Sequence, residues 1–169
     1  MATEYSIEFD ERKCVACYGC TVACKSWREV PLGLSWRRIE KLWYGTFPKV
    51  TLKHASVNCQ HCVQPACVAA CPAGALSKSK ADGLVSVNPD TCIGCKACAE
   101  ACPFDVPVFG ADETMQKCDL CSGRLGKKGE EPPCVGTCPT RALAYKQIDT
   151  TQKARAEKKL LQLLQGNNA

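Results

Sequence analysis

The sequence predicts an α+β fold in which two nested modules, each of short antiparallel hairpins and short helices, are followed by a C-terminal helix. Three observations predict it. Sixteen cysteines divide into four quartets with none left over. The residues flanking those quartets repeat in a way that pairs the two ends of the chain, and the end of the chain carries a helical apolar stripe. At 169 residues there is room for one body but not for separate catalytic and cofactor domains. The boundaries read as 1–24 with 111–149 for a discontinuous outer module, 25–53 for an insertion, 54–110 for an inner module and 150–169 for the terminal helix.

The quartets are Cys14, Cys17, Cys20, Cys24; Cys59, Cys62, Cys67, Cys71; Cys92, Cys95, Cys98, Cys102; and Cys118, Cys121, Cys134, Cys138. The first and third read C-x2-C-x2-C-x3-C, the second C-x2-C-x4-C-x3-C and the fourth C-x2-C-x12-C-x3-C, and Pro72, Pro103 and Pro139 follow three of the last cysteines. A run of this kind wraps three thiolates around one iron–sulfur cube and sends the fourth to the other cube of a pair. Two intervening residues turn amide N–H groups toward the sulfides, while three place the last cysteine about one helical turn on, facing away. The proline then ends the short helix. Four [4Fe-4S] clusters on sixteen thiolates are expected, and with cysteine at every ligand position no three-iron cluster is. Zinc is disfavoured, because a third cysteine three positions on crowds a tetrahedral site. A radical-generating C-x3-C-x2-C site is excluded, since Trp27, Gly74, Asp105 and Arg141 occupy the positions it needs.

Charge and compartment agree with buried clusters. The formal net charge is +5 with all cysteines neutral; four oxidised clusters on sixteen thiolates shift it by about −8, to about −3, and one electron into each gives about −7. The basic balance therefore compensates buried anions, and no nucleic-acid partner is expected. Met1 to Tyr5 open without a basic and apolar leader, and no apolar run reaches bilayer length, so the expected location is the cytoplasm, without direct membrane insertion.

The flanks decide which quartets pair. Cys71-Pro72-Ala73-Gly74-Ala75-Leu76 matches Cys138-Pro139-Thr140-Arg141-Ala142-Leu143, and Ser6-Ile7-Glu8-Phe9-Asp10 resembles Ser86-Val87-Asn88-Pro89-Asp90. Ala75 to Lys78 and Leu84 to Val87 read as a hairpin around Asp82-Gly83, making the second and third quartets one contiguous module. By the same pattern the strand near Ala142 to Lys146 pairs with that near Tyr5 to Phe9. The resulting ligand sets are Cys14, Cys17, Cys20 with Cys138; Cys59, Cys62, Cys67 with Cys102; Cys92, Cys95, Cys98 with Cys71; and Cys118, Cys121, Cys134 with Cys24. Sequential pairing, first quartet with second and third with fourth, is the alternative and leaves the flanking repeat unexplained.

Cys59-Gln60-His61-Cys62 through Pro65-Ala66-Cys67-Val68, with Lys117-Cys118-Asp119-Leu120-Cys121 and Pro133-Cys134-Val135 through Cys138-Pro139-Thr140, resembles the four-cluster electron-transfer subunits of molybdenum and tungsten oxidoreductases, those of the dimethyl sulfoxide reductase family included. The resemblance spans roughly Ile7 to Lys146. It implies bacterial-ferredoxin-like modules, nested ligation and a relay of single electrons. The short chain is similar to the small iron–sulfur subunit of bacterial tungsten aldehyde oxidoreductases. That implies a tungsten- or molybdenum-pterin catalytic subunit as partner and a flavin-containing, NAD-linked subunit as a second.

Outside the quartets, His61 is expected to pack or to hydrogen-bond toward a cluster sulfur rather than to bind iron. Trp27, Trp36 and Trp43 with Arg28, Arg37, Arg38 and Tyr44 make 25–53 a candidate docking surface, or a roof over the first and second clusters. Ser122 to Pro133, with three glycines and two prolines, reads as a solvated loop. Thr151 to Gln165 reads as a helix with Ala156, Leu160, Leu163 and Leu164 on one stripe, lysines opposite and Gly166 as the stop, packing on the body or clasping a partner.

The function expected is a non-catalytic electron relay. A standalone enzyme lacks support, since no P-loop, dinucleotide fingerprint or Ser/His/Asp arrangement appears and His54 and His61 are the only histidines. A free-standing polyferredoxin serving several oxidoreductases, of hydrogenase or formate dehydrogenase type, is the alternative. Two unlike faces, the Trp/Arg insertion and the terminal helix, also permit head-to-tail self-association into a longer wire.

Overall fold

The computed structural model describes residues 3–125 and 130–166. In chain order the elements are β1 (Thr3–Phe9), α1 (Gly19–Trp27), β2 (Arg37–Thr46), β3 (Lys49–Asn58), α2 (Ala66–Ala69), β4 (Leu76–Lys78), β5 (Val85–Val87), a 3-10 turn (Pro89–Thr91), α3 (Ala97–Glu100), β6 (Val108–Phe109), β7 (Met115–Gln116), α4 (Pro133–Gly136), β8 (Leu143–Asp149) and α5 (Thr150–Gln165). The strands pair two by two and antiparallel, β1 with β8, β2 with β3, β4 with β5 and β6 with β7. Among the described residues the interior divides into three clusters in which cysteines stand among the aliphatic residues.

β1 and β8 join the two ends of the chain, with Ile7 opposite Tyr145 and Phe9 opposite Leu143. Ile7 and Leu143 turn inward beside Cys20, Cys24, Cys118 and Cys134. β4 and β5 form the expected hairpin, Leu76 opposite Val87, and carry Leu76 and Val85 into a second cluster with Cys98 and Met115. Its turn needs glycine at Gly83: φ is +71°, and a Cβ there would fall 2.1 Å from Glu4.

The segment 25–53 folds in a way its composition does not disclose. β2 and β3, ten residues each, make a hairpin in unbroken pairing from Arg37 opposite Asn58 to Thr46 opposite Lys49, so it runs across the 53/54 boundary. Its base is buried through Arg37, Ala55, Ser56, Val57 and Asn58, while its outer half leaves Trp43 and Phe47 in solvent. The short β6–β7 hairpin likewise spans the 110/111 boundary.

α5 starts on a capping box, Asp149 accepting from the Gln152 amide and the Gln152 side chain accepting in turn from the Asp149 amide. It packs on its own body: Leu160 is buried among Leu42, Ala55, Val57, Phe104 and Val106, and the Tyr44 hydroxyl donates to the Leu163 carbonyl at 2.6 Å. The helical pattern places its lysines outside, and one is not. Lys153, on the same face as Leu160, is fully buried and donates to Glu4, which also accepts from Lys78 at 3.2 Å. A carboxylate on β1 within reach is what lets a lysine enter the interior. Of the loop 122–133, residues 126–129 lie outside the described residues. Its end is not solvated, because Pro132 is fully buried at the start of α4.

Candidate iron–sulfur ligand sites

Each quartet begins on a turn whose backbone visits the left-handed region. In the first, Ala16 and Tyr18 have φ of 52° and 60°; in the third, Gly94 and Lys96 at the matching places have 67° and 63°. His61 lies between Cys59 and Cys62 at 48°, and Leu120 and Cys121 are at 54° and 56°. A residue of this kind recurs three positions after the last cysteine in Gly74, Asp105 and Arg141. For a non-glycine residue this conformation costs about 1 kcal/mol or more, which is offset because alternation of hands turns successive N–H groups into one concave, anion-binding surface. Only Gly74 and Gly94 signal such turns in the sequence; the rest are filled by residues that give no such sign.

The fourth cysteine of the first quartet leaves its own loop. Cys20 and Cys24 are four residues apart on α1, both buried on one face. Burial, together with its neighbours Cys118, Cys134 and Cys121, pushes the Cys24 thiol up to about 12. Burial likewise raises Cys14, whose thiol neighbours are Cys20, Cys138 and Cys17. Cys62, pushed up to about 12 by burial and by Glu157, has Cys59, Cys102 and Cys67 around it. Cys98, raised to about 11 by burial, faces Cys67, Cys71 and Cys92.

Two cavities show the same groupings. One is lined by Cys14, Cys17, Cys20 and Cys138 with Ile39 and Leu143, the other by Cys71, Cys92, Cys95 and Cys98 with Leu76, Phe109 and Met115. Thiol donors around an apolar hollow, with amides directed at sulfur, fit a cubane cluster. The Ala142 N–H donor lies 3.3 Å from Cys138 Sγ and that of Leu120 3.5 Å from Cys118 Sγ. Burial would raise the Cys138 thiol, but the amide of Ala142 and its neighbours bring it below the ordinary value. Among the described residues no three of these side chains converge tightly enough for a single metal ion.

The groupings also adjoin one another in an order, Cys20 lying in one packed cluster with Cys118 and Cys134, Cys59 against that cluster and Cys67 against the one that holds Cys98. Cys134, of the fourth quartet, has Cys20 of the first as a neighbour. Cys118 of the fourth neighbours Cys59 of the second, and Cys67 of the second neighbours Cys98 of the third. Cys24, Cys118, Cys121 and Cys134 are all buried, whereas Cys17 and Cys95 are exposed.

Three polar side chains stand where the sequence does not place them, or carry roles it does not reveal. Arg37, expected on a docking surface, is 1% exposed at the base of the β2–β3 hairpin. Lys117 is buried, donating to the carbonyls of Val85 and Cys118, with its charge acting on Cys59 and Cys67. His61 is buried too: its Nδ1 accepts from the Val85 amide at 2.9 Å, and burial with Lys117, Lys153 and Lys78 nearby holds it neutral. Trp36 covers the interior around Cys20, Cys24, Cys118 and Cys134, stacked under Arg28, while Trp27 and Trp43 face outward.

A model of the 4Fe-4S dicluster domain matches residues 50–148. The B subunit of the anaerobic dimethyl sulfoxide reductase of Haemophilus influenzae is 38% identical over 156 residues, 86% of this protein and 75% of that subunit. The corresponding subunit from Escherichia coli is 36% identical over 166 residues, 93% of this protein and 80% of its own length. Protein NrfC of Escherichia coli is 39% identical over 147 residues, 86% of this protein and 66% of its own length.

Proposed function

This protein is a member of the 4Fe-4S dicluster family, with the iron–sulfur electron-transfer subunits of the dimethyl sulfoxide reductase type, and on that premise we propose that it is a linear relay of four [4Fe-4S] clusters. It is a non-catalytic subunit of an oxidoreductase complex and passes electrons through its clusters to a catalytic subunit. The ligand sets we propose are nested: Cys14, Cys17, Cys20, Cys138; Cys118, Cys121, Cys134, Cys24; Cys59, Cys62, Cys67, Cys102; and Cys92, Cys95, Cys98, Cys71. Each cluster, when bound, supplies a one-electron couple.

The observation that carries this reading is the order of the thiols. Cys20 of the Cys14 set shares a packed cluster with Cys24, Cys118 and Cys134, and Cys59 packs against that cluster. Cys67 of the Cys59 set packs against the cluster that holds Cys98, and the two exposed cysteines, Cys17 and Cys95, belong to the two ends. Electrons thus have an entry and an exit near the surface, while all four thiols of the Cys118 set are buried between them. The pairing of β1 with β8 supports an outer module, 1–24 with 111–149, around an inner one, 54–110.

On the partner side we propose a tungsten- or molybdenum-pterin catalytic subunit, of the aldehyde-oxidising kind, at one end and a flavin- and NAD-linked subunit at the other. Further copies of this protein would lengthen the wire between them. Cysteine clusters of this sort persist as metal ligands in a reducing compartment, which supports the cytoplasm. No helix among the described residues is long and apolar enough to cross a membrane. Iron and sulfide analysis of the anaerobically prepared protein tests the proposal: about sixteen irons per molecule are expected, and stoichiometric zinc or a half complement of iron would contradict it. Native mass measurement of the complex tests the copy number, and a fixed single copy per catalytic subunit would exclude the longer wire.

A further inference from the structure

Arg37 is the first residue of β2 and stands opposite Asn58 on β3. It is 1% exposed, and its Nη1 donates to Ser56 Oγ at 2.8 Å, an oxygen that itself lies 3.7 Å from Cys20 Sγ. Asn58, its partner in register, donates to Cys118 Sγ at 3.8 Å. The base of the hairpin is thus wedged between the sulfurs of two neighbouring ligand sets. Nε and Nη2 of Arg37 are buried and find no oxygen acceptor among the described residues. The groups that act on its charge are the thiols of Cys134, Cys118, Cys20 and Cys24.

A guanidinium buried without a carboxylate is unfavourable unless anions of another kind surround it. Here the anions are the cluster thiolates. We propose that Arg37 is a positioning charge for electron transfer, which holds up the reduction potential of the cluster on Cys24, Cys118, Cys121 and Cys134. Reduction adds one negative charge to that cluster, and a neighbouring cation stabilises the reduced form more than the oxidised one. In the interior this attraction is little screened by water or salt. Of the other buried or half-buried cations that act on these thiols, Arg28, which acts on Cys121, is paired with Asp119 at 2.5 Å, and Lys117 acts on Cys59 and Cys67 of the neighbouring set. Around Cys98, at the far end, the influential neighbours are other thiols. Arg37 therefore sets the middle of the wire apart from that end.

The inference rests on the ligand sets proposed above, and its test separates the two. Redox titration of the fully loaded protein, followed by electron paramagnetic resonance, is compared for native, Arg37→Met and Arg37→Lys forms, with Cys24→Ala and Cys118→Ala identifying the signal. Arg37→Met is expected to lower the equilibrium constant for reducing this cluster at least tenfold, which is about 59 mV for a one-electron couple. Arg37→Lys should stay near native, and the Cys92 set should not move in either. A four-cluster Arg37→Met protein with all reduction constants within twofold of native would overturn the inference while leaving the ligand sets standing. If Arg37→Met does not load, Arg37→Gln is titrated in its place: a tenfold fall beside a near-native Arg37→Lys supports the role of charge, and a reduction constant within twofold of native refutes it. If Cys24→Ala and Cys118→Ala perturb different signals, the ligand sets fail and the inference falls with them.

Discussion

Glu4 of the first strand and Lys153 of the last helix form an ion pair shut away from solvent, 149 residues apart in the chain. Lys78 shares the carboxylate at 3.1 Å and also donates to the Cys62 carbonyl, so one network ties both chain ends to the loop of the second quartet. Burial would raise the Glu4 pKa, but the hydrogen bonds and charges of Lys153 and Lys78 bring it below the ordinary value. A carboxylate with a depressed folded-state pKa contributes stability that is present above its unfolded pKa and is lost as pH falls through the folded value. Stability should therefore be flat near neutrality and decline below the usual carboxylate range. Glu4→Gln should cost about 3 kcal/mol at pH 7, because it strands Lys153, and flatten the acid limb. Anaerobic urea unfolding of the loaded protein at several pH values measures both.

Leu160 fixes α5 to the β2–β3 hairpin, and Leu160→Ala should destabilise the loaded protein by about 2–5 kcal/mol. Limited proteolysis should then release the C-terminal helix first, as a helix that packs on its own body requires. A protein equally resistant after the substitution would mean that the helix contributes little to the fold.

His61 supplies the acceptor for the buried Val85 amide, joining the loop of the second quartet to β5. His61→Leu leaves that N–H without a partner and should cost about 1–3 kcal/mol. His61→Asn, which keeps an acceptor, should recover part of it. Iron content should be unchanged in both, since four cysteines complete the cluster without the imidazole; loss of one cluster from His61→Asn would give the histidine a ligand's role instead.

Trp43 and Phe47 crown the outer half of the β2–β3 hairpin at 57% and 92% exposure. Their replacement by alanine should leave stability within about 0.5 kcal/mol and weaken binding to the catalytic subunit about tenfold or more if the hairpin docks there. Titration of the purified subunits against each other reads the change directly. Unchanged affinity would remove this hairpin from the interface.

Cysteine spacing and the flanking repeat make the β1–β8 and β4–β5 pairings legible, because a ligand loop followed by a short strand recurs with similar residues around Leu76 and Leu143. The apolar stripe through Leu160 discloses α5 for a similar reason. What composition conceals is sidedness. Arg37 and Lys153 read as surface charges, and each is buried because a distant partner compensates it: thiols from α1 and α4 in one case, a carboxylate on β1 in the other. The β2–β3 hairpin is hidden by charged and aromatic residues that obscure strand alternation, since β3 is buried continuously at its base and exposed continuously toward its tip. The left-handed turns are hidden because alanine, tyrosine, histidine and lysine fill places that glycine would have marked.

The most direct test of the account is the behaviour of Cys24→Ala. Cys24 lies ten residues after Cys14, yet its thiol faces Cys118, Cys121 and Cys134. Electron paramagnetic resonance of the reduced, anaerobically loaded variant should show the same cluster signal lost or altered as in Cys118→Ala, with the signal assigned through Cys14→Ala intact. If Cys24→Ala instead abolishes the Cys14 signal and spares that of Cys118, the ligands are shared within each quartet and the nested relay is contradicted.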